Sequence, residues 1–386
     1  MRRKLLVTTC IYMSTFAVMM YVGVYNHLQT TMDLKNSSSE QNDSPDSATL
    51  YQTHQHRVPD NNIHIIMATD LKNFAGAPVV INSLLRNTGV PEKIRIHFVV
   101  CGESIESMKQ YLQCHDLDIP PDMIEMVTFD SSILDPDIVK LWEHSYYIPR
   151  LKSSCNYARA YFYRLFPEVS KAIYLDMDLV VDAPIEDLWS EASSLTAPFL
   201  AVKNNHGFEQ EGFRVDVVSK LYQKRYHRTF NKTATIFNCG VFVIDLDYYR
   251  SHRIVSEVEF WLKMNARFPE NGKLWMWDAQ AIIQLLFHKN WQPIDRKWNI
   301  EYLGAPGVLM TEGRRRRLGN GGILHWTGDF KPFLPNGLNK EFWEVHQPGQ
   351  CSGHGECSRN EDSEVAEYWI CKCQRRYTGR FCEDDK

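Results

Sequence analysis

Residues Lys171–Trp189 read KAIYLDMDLVVDAPIEDLW, an apolar run ending in Asp176-Met177-Asp178 with a second apolar run behind it. A fold built on this stretch has to bring two carboxylates to the end of a strand. Alternate side chains of a strand share a face, so Asp176 and Asp178 are expected to point one way and Met177 the other. Two carboxylates on one face make part of an oxygen site for a hard divalent cation. Such a cation, with positions left open, suits the gripping of a diphosphate. The same triplet is also an ordinary solvated corner between strand and loop, and its spacing alone leaves both readings open.

The surrounding pattern alternates strand with helix. His64–Ala68 (HIIMA) is an apolar run that stops at Thr69-Asp70, and a helical spacing follows through Val79, Val80, Ser83, Leu84 and Leu85. Ile94–Cys101 reads as a buried strand, Ser104–Leu112 as a helix, Met126–Phe129 as a strand and Asn156–Phe166 as a helix with an aromatic buried face. This order predicts an α/β domain with a mainly parallel sheet flanked by helices on both faces. Ligands of such sheets sit beyond the C-terminal ends of the strands, so Asp70 and the Asp176/Asp178 pair are expected to share one crevice.

Two later segments carry further candidates. Phe237–Leu246 (FNCGVFVIDL) reads as a strand that starts with Asn238 and Gly240, a side-chain amide followed by a residue that permits close backbone approach. An ordinary turn into a strand has the same composition. In Ile323–Phe333 (ILHWTGDFKPF), His325 offers a metal ligand. Gly328 offers an accessible backbone N–H and Lys331 a point charge for phosphate. A histidine beside tryptophan also occurs for packing alone.

The ends of the chain differ from its middle. After MRRK, residues Leu5–Tyr25 carry no charge, about the length a helix needs to span a bilayer. The basic residues before the span predict a cytosolic tail at 1–4, an uncleaved signal anchor at 5–25 and a luminal remainder. A cleavable signal peptide is the competing reading, but the stretch is long for one and no clean small-x-small site follows. Residues 26–61 are polar and read as a flexible stem. Asn36, Asn42 and Asn231 head glycosylation triplets. A domain at 62–346 follows. The net charge of −4 gives no reason to expect nucleic acid, and the basic run Arg314–Arg317 reads as a solvated face that also suits a phosphate or acidic acceptor.

Five of the ten cysteines fall after Gln350: Cys351, Cys357, Cys371, Cys373 and Cys382. That density implies disulfides and an oxidising compartment, and paired C-x-x-C knuckles for zinc are missing. The text CSGHGEC…CKCQRRYTGRFC, over 350–383, resembles an epidermal-growth-factor-like module lacking its first cysteine. The resemblance implies Cys351–Cys371 and Cys373–Cys382 bridges. Cys357 is then left free or reaches the preceding domain, where Cys101 and Cys114 are better placed than Cys155, at the start of a packed helix, or the buried Cys239.

Over about Ile63–Trp343 the chain resembles glycosyltransferase family 8. The residues that carry this are Ala68-Thr69-Asp70, Tyr174–Val181 (YLDMDLVV), Phe237–Leu246, Trp298–Gly304 (WNIEYLG) and His325–Phe333 (HWTGDFKPF), the last with Phe333 where tryptophan is usual. The flavour is that of animal family-8-domain proteins and of the plant galacturonosyltransferase branch. The resemblance implies a GT-A-type, Rossmann-like fold and a retaining hexosyl- or pentosyltransferase that uses Mn²⁺ and a nucleotide-diphosphate-sugar, a UDP-sugar foremost, on a glycan or glycoprotein acceptor. By position, Asp176, Asp178 and His325 match the metal ligands, and Gly328 and Lys331 the groups that hold the diphosphate. Asp70 matches the uridine site, Asn238 and Gly240 the donor-sugar contacts, and Arg159 a basic residue that reaches the donor. The family's Asp-Gln-Asp on a late helix is altered to Asp278-Ala279-Gln280, which keeps Asp278 and Gln280 as candidate catalytic residues. No residue stands out as a nucleophile, so same-face attack is favoured, with the departing phosphate oxygen taking the acceptor proton.

With the anchor, this reading implies a single-pass type II Golgi membrane enzyme. A sugar-nucleotide-binding or adhesion protein that has lost catalysis is the alternative, and a nucleotidyltransferase is a rival that the luminal anchor disfavours. On the topology proposed, at least one of Asn36, Asn42 and Asn231 carries glycan. Endoglycosidase treatment of the chain expressed in a glycosylating host should increase its electrophoretic mobility; an unchanged band would count against a luminal domain.

Overall fold

The computed structural model describes residues 61–385 apart from 71–72, 103–104, 121, 130–137, 139–154, 270–271, 276–277, 309–310 and 361–367. The predicted tail (1–4), anchor (5–25) and stem as far as residue 60, with Asn36 and Asn42, lie outside the described residues. Among those described, no helix is long and apolar enough to cross a membrane. Asn231 is exposed, and its Oδ1 accepts from the Thr233 hydroxyl at 3.0 Å.

The strands are β1 (Ile63–Thr69), β2 (Ile94–Val100), β3 (Ile124–Thr128), β4 (Lys171–Leu175), β5 (Leu179–Val181), β6 (Phe199–Gly207), β7 (Thr235–Asp245), β8 (Trp291–Ile294) and β9 (Ile323–His325). Seven of them form one sheet in the order β3-β2-β1-β4-β7-β6-β8. Pairing is parallel from β3 through β4 and between β6 and β8; β7 runs against both of its neighbours. The sheet is therefore mainly parallel, as expected, with one reversed strand at its centre.

Helices cover both faces: α1 (Ala77–Asn87), α2 (Ile105–Gln113), α3 (Cys155–Leu165), α4 (Ile185–Ser193), α5 (Val215–Tyr226), α6 (Leu246–Ser251), α7 (Ile254–Ala266) and α8 (Asp278–Phe287). Successive strand residues enter opposite cores. Ile65, Met67, Phe98, Ile173 and Val243 pack with α1, α2 and α4 through Val80, Ile81, Met108 and Leu188. Ile66, Val99, Tyr174 and Phe242 pack with α3, α7 and α8 through Tyr161, Phe162, Trp261 and Ile282. Continuous apolar runs are what a sheet buried on both sides requires. The basic run lies on a further short helix, α9 (Glu312–Leu318), and Arg314 donates from Nη2 to the Glu301 carbonyl.

The Asp-x-Asp triplet departs from expectation in one respect. β4 ends at Leu175 and β5 begins at Leu179, so Asp176-Met177-Asp178 forms the corner between two strands of different sheets rather than the end of one strand. Alternation survives the corner. Met177 is buried on the α1 side, while Asp176 bonds to Tyr174, whose ring belongs to the opposite core.

The C-terminal segment folds as two small hairpins, β10 (Gly355–Asn360) with β11 (Tyr368–Cys373) and β12 (Tyr377–Thr378) with β13 (Asp384–Asp385). Cys351–Cys371 and Cys373–Cys382 are bridged. Cys351, Cys371 and Cys382 lie close together, but all three are in disulfides, which disposes of zinc. Cys357 is bridged to Cys114 at the end of α2. Cys155, which the sequence reading set aside as a partner for Cys357, is bridged instead to Cys101, and Cys239 is a buried free thiol. The disulfide-rich segment fits an epidermal-growth-factor-like module.

The Cys114–Cys357 bridge closes a span of 243 residues, so it should restrict the unfolded chain strongly. The double variant Cys114→Ser/Cys357→Ser is expected to lose about 2–4 kcal/mol of stability. Urea unfolding measures this, and an unchanged midpoint would show that the bridge adds no restraint.

Candidate functional site

The topology gathers one edge of the sheet. Because β1 and β4 are parallel, Asp70 and Asp176 leave their strands at the same edge. Because β7 is reversed, its early residues Asn238 and Gly240 return to that edge, where the Asp176 N–H donates to the Gly240 carbonyl at 2.9 Å. His325 arrives from elsewhere. β9 pairs antiparallel with β5, setting His325 opposite Leu179, and the Trp326 N–H donates to the Asp178 carbonyl at 3.0 Å.

Asp176, Asp178 and His325 meet, with one ligand atom from each lying within 4.8 Å of the others. His325 Nε2 is 3.6 Å from Asp178 Oδ1 and 3.8 Å from Asp176 Oδ2. These separations are too long for good hydrogen bonds. They suit three ligands around one ion, whose bonds to O and N run about 2.1 Å.

Each carboxylate divides its oxygens between a cation and this meeting point. Asp176 Oδ1 accepts from Arg159 Nη2 on α3 and from the Tyr174 hydroxyl, both at 2.6 Å, leaving Oδ2 toward His325. The Arg159 guanidinium also lies 4.8 Å from the Tyr174 ring centroid. Asp178 Oδ2 accepts from Lys331 Nζ, which also donates to the Trp326 carbonyl at 3.0 Å, leaving Oδ1 toward His325. Burial alone would raise the Asp178 pKa; Lys331 and His325 outweigh it and hold the carboxyl below the usual range. Burial drives the Tyr174 hydroxyl well above its ordinary value, with Arg159 opposing and Asp176 adding to it, so it remains a donor.

The imidazole is oriented by a relay of amides. Asn299 Oδ1 lies 2.8 Å from His325 Nδ1, and Asn299 Nδ2 donates to Asn238 Oδ1 at 3.0 Å, which also accepts the Gly240 N–H at 2.7 Å. In this arrangement Nδ1 carries the proton, and the Nε2 lone pair faces the two carboxylates. Gly240 lies under the ring: a Cβ there would sit 2.2 Å from His325 Cε1. Two carboxylate oxygens and an imidazole nitrogen, held from outside and open between them, fit a divalent metal.

The other expected residues take varied positions. Asp70 Oδ1 accepts from the Asn73 side-chain amide at 2.9 Å and caps the turn that follows β1. Gln280 Oε1 accepts the Cys239 N–H at 3.1 Å, and one turn later Gln284 donates to the Phe237 carbonyl at 2.7 Å, so α8 is stitched to the start of β7. Asp278 is the first residue of α8. Gly328 has a packing role: at φ +124° it lies against Gly304, whose carbonyl would be 2.4 Å from a Cβ. Phe333 packs beside Trp343 in an apolar cluster. The sequence reading missed Tyr174 and Asn299. Tyr174 is two residues before Asp176 and so shares its side, a signal that was present. Asn299 lies in the WNIEYLG segment, but its contact with His325 spans 26 residues.

Residues 64–336 match glycosyl transferase family 8. The chain belongs to that family. Among its relatives, "Probable galacturonosyltransferase-like 5" of Arabidopsis thaliana is 30% identical over 285 residues, 71% of this chain and 72% of that one. "Glycosyltransferase 8 domain-containing protein 1" of Danio rerio is 25% identical over 73% of this chain and 77% of its own. An active-site mutant of LgtC superposes with a TM-score of 0.51 at 18% identity, covering 73% of this chain and 95% of that structure. The last likeness identifies the fold as GT-A-like. Family membership supports glycosyltransferase activity, and the Asp-Asp-His site fits a divalent metal beside a nucleotide-sugar donor.

Removing the outer amide tests the relay. Asn299→Ala should weaken the binding of a divalent cation by about 10–100-fold while the fold persists. Calorimetric titration measures this; unaltered affinity in a folded variant would show that the relay does not orient His325.

Proposed function

We propose that this protein is a Mn²⁺-dependent, retaining glycosyltransferase that moves a sugar from a UDP-sugar to a glycan or glycoprotein acceptor. We assign it to the lumenal face of the Golgi membrane, with residues 5–25 as its anchor. The observation that carries the reading is the convergence of Asp176 Oδ2, Asp178 Oδ1 and His325 Nε2, each with its second polar atom already held.

In this reading Asp176, Asp178 and His325 hold the ion. When bound, a divalent cation supplies Lewis-acid neutralisation of the charge that builds on the leaving diphosphate. Lys331, already beside Asp178, adds a fixed positive charge to the same region, and the Gly328 N–H is assigned as a further diphosphate donor. Asp70 is assigned to the uridine. Asn238 and Gly240 are assigned to the donor sugar, with Arg159 reaching the donor from α3. Asp278 and Gln280, at the start of α8, are assigned to the reacting sugar. Gln280 does part of this through the backbone, by fixing Cys239 next to Asn238 and Gly240. The acceptor attacks from the face that the leaving group departs, and the departing phosphate oxygen takes its proton. The acceptor is assigned to this same edge of the sheet, beyond the strand ends, where ligands of such sheets bind.

The deciding experiment incubates the purified chain with a panel of UDP-sugars and acceptors, with and without Mn²⁺. Turnover is expected with one of them, lost on chelation and regained on adding Mn²⁺, with the anomeric configuration of the product unchanged by NMR. Asp178→Ala should lower it by more than about 100-fold without unfolding the domain. Binding of UDP and Mn²⁺ with no turnover across the panel would refute the transferase and favour a binding protein. Turnover indifferent to chelation would refute the metal assignment.

A further inference from the structure

We propose that the C-terminal module is a working part of the donor site, and that Trp369 is a positioning residue acting through Phe74 on the turn after Asp70. The inference rests on the assignment of Asp70 to the uridine.

The module lies beyond the matched family domain at 64–336, yet its Cys357 and Trp369 pack against the core of that domain. Trp369 on β11 has its ring centroid 4.4 Å from that of Tyr111 on α2 and 6.2 Å from that of Phe74, stacked on the latter. Phe74 and Tyr111 are themselves 4.5 Å apart. Phe74 is only 3% exposed, and Trp369 is one of the groups that cover it.

Phe74 opens the single helical turn Phe74–Gly76, and that turn is pinned at three points. At its front, the Asn73 N–H donates to the Asp70 carbonyl at 3.1 Å, and the Asn73 amide donates to Asp70 Oδ1. At its first residue, Phe74 meets the module. At its end, Gly76 lies against the metal corner: a Cβ on Gly76 would be 1.8 Å from the Met177 carbonyl oxygen, and Met177 stands between Asp176 and Asp178. An indole on the module thus bears on a turn that touches the proposed uridine residue at one side and the carboxylate corner at the other.

Attachment of the module does not depend on this indole. Cys114–Cys357 fixes it covalently. The Cys351 N–H donates to the Cys114 carbonyl and the Asp116 N–H to the Gly349 carbonyl, each at 2.8 Å. His115 and Gln350 form a β-bridge. A change at Trp369 therefore alters what the module presses upon while leaving it docked. The expected consequence is a looser turn and weaker capture of the nucleotide, with the chemistry of a bound donor little changed.

The test uses the full chain and UDP with Mn²⁺ as the probe. Trp369→Ala should weaken UDP binding and raise the donor KM by about tenfold, with kcat within about twofold of the wild type. Trp369→Phe should restore both. Hydrogen exchange should quicken at the amides of 73–76 and not in β4 or β7. If Trp369→Ala does not fold, Trp369→Leu, which fills much of the space without the ring, is read in the same way. Unchanged UDP affinity in the folded variant, or loss confined to kcat, overturns the proposal. Asp70→Ala separates the two assignments. If it binds UDP as the wild type does, the uridine reading fails and this inference with it. If it binds weakly while the Trp369 variants bind normally, only this inference fails.

Discussion

Two carboxylates and an imidazole are held within a few ångströms in a largely buried corner, and most of the surrounding architecture answers the cost of that arrangement. Like charges at such a distance repel, and burial adds a desolvation penalty to each. The structure offsets both by giving each carboxylate its own cation, Arg159 for Asp176 and Lys331 for Asp178. The cations arrive from segments far apart in the domain's sequence, one on the helix before β4 and the other after β9. Neither can be placed without the whole fold. The corner is thus a product of the closed tertiary structure, even though its two acids are separated by a single residue in the chain.

This explains which parts of the molecule were legible in the sequence. IHIIMAT, IRIHFVV and KAIYL announce buried strands because composition and alternation are local properties. Asp176, Asp178 and His325 stand out in the sequence by their chemistry and by a family resemblance, and the structure brings them together. Strand direction is not local. The reversal of β7 leaves no mark on FNCGVFVID, although it is what returns Asn238 and Gly240 to the edge where β1 and β4 end. The triplet itself looked like a strand end because apolar runs flank it; only the pairing of β5 with β9, across more than a hundred residues, turns it into a corner. Asn299 was invisible for a similar reason. An asparagine has no distinctive pattern, and its role is defined by what it touches.

Glycines mark where this closure is tightest. Gly240 admits the His325 ring, and Gly76 admits the Met177 carbonyl. In both places a methyl group would push against a metal-corner residue or its neighbour. The two sides of the corner are therefore packed against backbone, with no flexible side chain between to absorb an error. Such packing transmits displacement rather than damping it. A turn held by a peripheral module can for that reason matter to atoms two contacts away.

The disulfides extend the same logic to the compartment in which the protein folds. Cys155 begins α3 and Arg159 follows one turn later on the same helix, so the Cys101–Cys155 bridge ties the start of the helix that neutralises Asp176 to the end of β2. The Cys101 N–H also donates to the Thr69 carbonyl at 3.0 Å, immediately before Asp70. On the other side of the site, Cys114–Cys357 holds the module that covers Phe74. Two of the four bridges among the described residues thus flank the proposed donor crevice, and both link segments far apart in sequence. Buried Cys239 stays out of this chemistry: burial pushes its thiol pKa up, disfavouring the thiolate that exchange requires. Oxidation completes the frame of the site while sparing the buried thiol beside it, so the frame forms only where folding takes place under oxidising conditions.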